Sequence, residues 1–255
     1  MRGYEELAKL NVFSLSDVEL LTGNEKTAYS MLARLMAKGL VRKIRNGMYS
    51  CVNLATGGIS ASKYQIACAI SSSAYISHHT AFEYYGLANQ VFYEMYVASE
   101  SRFRDFEFEG LSYKHIASKT RQGVIKPRNT EGIRVTDLER TVVDSIKDFE
   151  KIGGFEELLQ CLSAIHYLDE KKVITYLDMY NIKALYQKTG FLLARFREEM
   201  LLSPEFIEYC KGKVGKSTNY LLKEAKSGGV YNSEWKLVVP EDLFDIIGQG
   251  GGELV

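Results

Sequence analysis

Two short stretches carry side chains able to do chemistry. His78 and His79 stand side by side, and the segment "TDLERTVVD" gathers Asp137, Glu139, Arg140 and Asp144. Paired imidazoles suit a transition metal, and clustered carboxylates suit magnesium in nuclease or nucleotidyl chemistry. The spacing speaks against both. Adjacent helical residues point about a hundred degrees apart, and no third ligand follows at metal spacing, so one histidine is expected at a helix start and the other packed. Arg140 and Asp144 are one helical turn apart and can pair. Asp137 and Glu139 fall in a first turn, where acids complement the helix dipole. Gly215-Lys216-Ser217 resembles a fragment of a phosphate-binding loop, but Cys210 occupies the position of the required upstream glycine. The four cysteines, Cys51, Cys68, Cys161 and Cys210, lie far apart in the chain. They are expected as small core residues in a reducing compartment. Tyr84, Tyr85, Phe92, Tyr93 and Tyr96 are expected in the core, with base stacking as their alternative use. These readings predict no catalytic residue, no cofactor and no metal.

A different pattern stands out nearer the start. Between Asn24 and Ser50 there are six basic residues and one acid, in a chain of 255 residues with no net charge. A nucleic-acid partner must therefore be met by a local patch. The elements that position this patch can be read from the pattern. Ser16 with Glu19 has capping-box spacing, Val18, Leu20 and Leu21 offer an apolar face, and Gly23 can close the helix. A longer helix is predicted from Glu25 to Lys38, with Ala28, Met31, Leu32 and Leu35 as its buried stripe. Its other face carries Lys26, Thr27, Tyr29, Ser30 and Arg34. "LVRKI" and "MYSCV" then form a hairpin joined by Arg45, Asn46 and Gly47. Helix, short helix, turn, longer helix and hairpin predict a winged helix-turn-helix. Its second helix would read the major groove of double-stranded DNA, and Arg42, Lys43, Arg45 and Asn46 on the wing would meet phosphates.

The rest reads as mixed α/β to about residue 150 and mainly helical after it. A helix covers "SKYQIACAI" with Tyr64, Ala67 and Cys68 inward. A strand "YIS", a helix "HHTAFEYYG" and a strand "VFYEMYVAS" follow. "RDFEFEG" and "LSYKHIA" form a hairpin around Gly110. Thr136 with Glu139 again has capping-box spacing. "NSEWKLVVP" is expected as a strand or an extended arm, and "GQGGGELV" as a fraying tail. The fold class is α+β, with a border near Asn53–Gly58: residues 1–56 as the winged helix-turn-helix and residues 57–255 as a larger domain. No apolar run reaches the length of a membrane span and no signal peptide is evident, which predicts a cytoplasmic protein with no membrane partner.

Two blocks then carry a resemblance. Ser77-His78-His79-Thr80-Ala81 with Gly86-Leu87, and Val135-Thr136-Asp137-Leu138-Glu139-Arg140-Thr141 with Asp144, resemble the AbiEi family, the antitoxin and regulator halves of AbiE phage-defence systems. The match covers roughly the first 150 residues. It implies a repressor of its own promoter that also antagonises a nucleotidyltransferase toxin without a stable complex. A nuclease carrying a winged-helix targeting domain is the alternative.

Overall fold

The structure is a computed structural model and describes residues 2–222, 228–241 and 243. The expected tail from Gly248 lies outside the described residues. The fold is mixed α+β, with ten α-helices and three sheets among the described residues. The chain forms two compact units. The first comprises Met1–Ile76 and Tyr93–Val135, the second Ser77–Phe92 and Thr136–Val255.

The first unit opens with helices α1 (Arg2–Ala8), α2 (Leu15–Thr22) and α3 (Glu25–Ala37) and the hairpin β1 (Val41–Arg45) and β2 (Met48–Cys51). The cap of helix α2 lies two residues earlier than expected. Ser14 accepts from the Asp17 amide while the Asp17 carboxylate takes the Ser14 amide, so the capping box is Ser14–Asp17 and not Ser16–Glu19. In this register only Val18 of the expected face is buried. Leu20, two residues on and so on the opposite side of the helix, is 84% exposed, and Leu21 is exposed as well. Gly23 closes α2 in the left-handed conformation, as the sequence predicts.

Helix α3 is capped by Asn24, whose side chain accepts from the Thr27 amide. It buries Ala28, Leu32 and Leu35, while Met31 is half-buried. These meet Leu7, Phe13, Val18, Val41 and Cys51 in a small local core. Each fully buried aliphatic there contributes about 1.5–3 kcal/mol. Phe13 exchanges both backbone hydrogen bonds with Tyr49 and so extends the hairpin by one bridge. Arg45 is the last residue of β1 and pairs with Met48, leaving Asn46-Gly47 as the turn, with positive φ at Gly47.

Helix α4 (Lys63–Ala69), capped by a Ser62–Gln65 box, buries Ile66, Ala67 and Cys68, with Tyr64 only half-buried. Strands β3 (Tyr75–Ile76), β4 (Glu94–Ser99), β5 (Phe106–Phe108), β6 (Leu111–Ala117), β7 (Val124–Ile125) and β8 (Val135–Thr136) make one sheet in the order β5-β6-β4-β3-β8-β7. The β4–β6 and β3–β8 pairs are parallel; β5–β6 and β3–β4 are antiparallel. The β5–β6 turn has positive φ at both Glu109 and Gly110, as a tight two-residue hairpin turn requires. The sheet buries Tyr75, Ile76, Met95, Val97 and Tyr113.

The second unit holds α5 (His78–Tyr84), α6 (Leu138–Lys147), a 3-10 turn (Phe149–Ile152), α7 (Phe155–Ser163), α8 (Glu170–Tyr180), α9 (Lys183–Arg195) and α10 (Pro204–Gly212). Its core joins Phe82, Val142, Ile146, Leu158, Leu162, Leu177 and Leu193. The expected single arm near the end is instead part of a three-stranded sheet. Strands β10 (Val230–Asn232) and β11 (Leu237–Val239) are antiparallel, and β11 runs parallel to β9 (Asn219–Tyr220). The turn 233–236 separates β10 from β11, and Trp235 within it is buried. Gln187 fastens this sheet to α9. Its amide donates to the Trp235 carbonyl at 3.0 Å, and its carbonyl accepts from Asn219 at 2.6 Å.

Gly190 sits in the middle of α9 because nothing larger fits. A Cβ there would lie 2.2 Å from Trp235 Cζ3 and 2.8 Å from Cys210 Cβ. Gly190→Ala is expected to destabilise the protein by about 1–3 kcal/mol despite the better helix propensity of alanine. Urea denaturation of the two proteins checks this.

Candidate nucleic-acid interface

Helix α3 has one side committed to the local core and the other to solvent. Lys26, Thr27, Tyr29, Ser30 and Arg34 are all exposed, Tyr29 at 56%. The cause is periodicity. With Ala28, Leu32 and Leu35 inward, positions 26, 27, 30 and 34 fall on the far side. None of these five serves the fold as a core side chain, and four of the five can donate or accept hydrogen bonds from the first two turns of the helix. All five expected residues of the helix are thus brought to one open face.

The hairpin is different. Arg42 and Lys43 are exposed, as is Asn46, but Arg45 is half-buried. Arg42 Nη1 pairs with Glu109 at 2.6 Å, and its Nη2 donates to the Gly57 carbonyl at 3.0 Å. The Arg45 guanidinium lies over the Phe106 ring at 4.8 Å and near Phe103 at 5.9 Å. Glu109, Phe106 and Phe103 belong to the β5–β6 hairpin and the segment before it. Of the three hairpin cations, two therefore have partners within their own unit. Sequence reasoning missed these partners because they stand about sixty residues away, with no local signal.

The acid-rich block forms a second polar cluster, in the other unit. Asp137, not Thr136, caps α6, accepting from the Arg140 amide at 2.9 Å. Thr136 is still strand, and its hydroxyl meets that of Thr141 at 2.7 Å. Asp137 Oδ2 also accepts from the Tyr176 hydroxyl at 2.7 Å. Glu139 accepts from the Asp169 amide at 3.1 Å, and Lys172 stands 3.5 Å from Glu139 and 3.6 Å from Asp137. Burial works to lower the Lys172 ammonium, but the charges of Glu139 and Asp137 outweigh it and raise its pKa. Arg140 Nε donates to Asp144 at 2.8 Å, as the spacing predicts, with both side chains buried. The Tyr180 hydroxyl joins this pair. Each carboxylate is thus answered by protein donors, and among the described residues no group of three His, Cys, Asp or Glu is placed to hold a metal ion.

Both histidines are buried. His78 is in the left-handed region (φ 52°), with Nδ1 2.9 Å from the Ser77 hydroxyl and Nε2 3.9 Å from Asp148. Burial works to raise the Asp148 carboxyl, yet hydrogen bonds from His78, Lys147 and Lys151 hold it well below the usual carboxylate range. His79 packs edge-on against Phe92 at 3.9 Å, with Nε2 3.4 Å from Glu157. Glu157 is fully buried on α7 and accepts from the Asn89 and Gln90 amides at 2.8 and 3.1 Å. It was not singled out from the sequence, although an acid on the Leu158–Cys161–Leu162 side of an apolar helix is a usable signal. Burial lowers the His79 pKa from 6.5, against the opposing pull of Glu157 and Glu83.

The remaining candidates find plain roles. All four cysteines are free and buried, and burial pushes the Cys51 thiol up to about 11 and Cys210 to about 12. Lys216 and Ser217 lie between α10 and β9, a helix-to-strand order opposite to that of a phosphate-binding loop. The expected aromatic core group is only half-buried at Tyr84, Tyr85, Phe92 and Tyr96, and Tyr93 is 70% exposed. The core of that strand is Met95, Val97 and Ala98, on alternate pleats and at its end. Among the described residues no helix is long and apolar enough to cross a membrane.

The fold and site together define an α+β protein of two compact units with an exposed polar helix face. No family model matches the chain, and no curated protein does. Among solved structures it is similar to the crystal structure of the RV2827C protein from Mycobacterium tuberculosis. That likeness has a TM-score of 0.66 and covers 96% of this chain and 93% of that one at 14% identity. It shows a shared fold over nearly the whole length.

Two outcomes follow from the buried charges. Arg140→Ala leaves Asp144 buried without its cation and is expected to cost about 3–5 kcal/mol in urea denaturation. His79 binds its proton less readily folded than unfolded, so the unfolded chain holds more protons below 6.5 and stability falls as pH drops through that value. His79→Gln is expected to flatten this dependence between about pH 7 and pH 5, measured as the denaturation midpoint across that range.

Proposed function

We propose that residues 1–56 are a winged helix-turn-helix domain that binds double-stranded DNA, and that the protein is a cytoplasmic transcriptional repressor of its own promoter. The observation that carries this reading is the outward face of α3, where Lys26, Thr27, Tyr29, Ser30 and Arg34 are exposed together. Helix α2, the Gly23 turn, α3 and the β1–β2 hairpin follow one another in the order such a domain needs. In this reading Thr27, Tyr29 and Ser30 meet base edges, Lys26 and Arg34 flank them, and Lys43 and Asn46 approach phosphates. Arg42 and Arg45 serve mainly to seat the hairpin.

We further propose that residues 57–255 supply an antitoxin activity against a nucleotidyltransferase toxin. The support for this half is the resemblance of the Ser77–Leu87 and Val135–Asp144 blocks to the AbiEi family. No catalytic residue is assigned. A nuclease would need a carboxylate available to a metal, and Asp137, Glu139 and Asp144 are each held by protein donors.

The test is a mobility shift on the DNA upstream of its own reading frame at fixed salt. Thr27→Ala with Ser30→Ala is expected to weaken that complex by about 1–3 kcal/mol per lost base contact while binding to random duplex stays unchanged. Equal loss on both DNAs, or none on either, overturns the assignment of α3 to the groove. Co-expression with a nucleotidyltransferase encoded next to it, scored as growth, tests the antitoxin half.

A further inference from the structure

The six-against-one basic cluster raises a difficulty for DNA binding. Arg42 is paired with Glu109 and the Gly57 carbonyl, and Arg45 is packed over Phe106 and Phe103. A wing holding one uncommitted cation, Lys43, offers little phosphate affinity by itself. The same contacts show where further cations come from. The Arg45 guanidinium lies 5.9 Å from the Phe103 ring, which places the chain at Phe103 beside the end of the hairpin. Phe103 is flanked by Arg102 and Arg104. Both are exposed, and neither forms an ion pair or side-chain hydrogen bond with any described residue. Of the nearby acids, Asp105 is met by Lys114 at 3.8 Å and by the His115 amide at 2.9 Å, Glu109 by Arg42, and Glu107 more weakly by the Ser112 hydroxyl at 3.4 Å, while Glu100 is exposed and offsets part of the charge.

We infer that Arg102 and Arg104 continue the DNA interface beyond the wing and bind the phosphate backbone. The inference rests on the proposed DNA binding and adds to it a site outside residues 1–56. The chemistry fits. A guanidinium presents a planar fork of donors that matches a phosphate bidentately, and it is weakly hydrated, so it gives up water readily. Two exposed arginines two residues apart, next to a hairpin tip held by a third, form a short cationic edge. Its contacts carry no sequence information, so they supply affinity while α3 supplies choice.

The experiment is fluorescence-anisotropy titration of the full chain on a labelled mixed-sequence duplex of about 30 base pairs, over a series of salt concentrations. Arg102→Ala with Arg104→Ala is expected to lower the log–log salt slope by about two units, one per lost phosphate contact, and to weaken binding severalfold at low salt. Arg102→Lys with Arg104→Lys is expected to restore most of the slope, which a merely structural effect would not do. Both positions are exposed, so circular dichroism is expected to match the parent. A parent that binds with a steep slope and an alanine variant with the same slope overturns this inference and leaves the proposed function standing. A parent that binds no duplex overturns both.

Discussion

A buried guanidinium is tolerable only where its donors are met, and in the second unit α6 and α8 meet those of Arg140. Asp144, one turn along α6, takes Nε, and Tyr180 reaches the same pair from α8. One turn nearer the N-terminus of each helix, Tyr176 reaches Asp137. Tyr176 meets Asp137 at the start of α6 and Tyr180, one turn along α8, meets Arg140 and Asp144 further along α6, so the two helices are tied at two successive levels. Sliding α8 by one residue would swing both hydroxyls about a hundred degrees away from their partners. Apolar contacts between the same helices would tolerate such a slip far better, because the hydrophobic effect has no direction. The network is thus directional where the apolar core containing Val142, Ile146 and Leu177 is not.

The first unit shows the opposite use of charge. Along α3 the polar side chains stay out of the core, and they lie together on the open face. On the hairpin, Arg42 and Arg45 look alike in sequence yet have become structural, one in an ion pair and one stacked on aromatic rings. Exposed ion pairs of this kind contribute about 1 kcal/mol or less, and the stacking of Arg45 contributes on a similar scale. Neither holds the unit together. What they do is join the hairpin to Glu109 and Phe106.

Local patterns were legible from the residues alone. The buried stripe of α3, the Asn46-Gly47 turn, the Glu109-Gly110 hairpin and the Arg140–Asp144 pair all follow from spacings of two to four residues. The cap positions were displaced. Both Ser14 and Ser16 are followed three residues later by an acid, so the spacing alone does not choose between them, and Ser14 caps the helix. Likewise Thr136 and Asp137 are both able caps, and strand pairing beside Ile76 claims the threonine's neighbour Val135 and leaves the aspartate to the helix. What was not legible is contact at long separation. Glu157 beside His79, Glu109 beside Arg42 and the three-stranded sheet around Trp235 depend on loop closures that no short window records.

The interleaving of the two units along the chain has a consequence for biosynthesis. Residues 77–92 belong to one unit but are flanked on both sides by segments of the other. As the polypeptide leaves the ribosome, α1 to β2 can close their small core early. The six-stranded sheet must wait for Val135, and His79 and Phe82 must wait for helices made later still. At about 5–20 residues per second the segment that carries Phe82 is held for several seconds without its packing partners. Nascent chains long enough to have released Val135 from the ribosome would therefore differ in protease resistance across β3 to β6 from chains that still hold it inside.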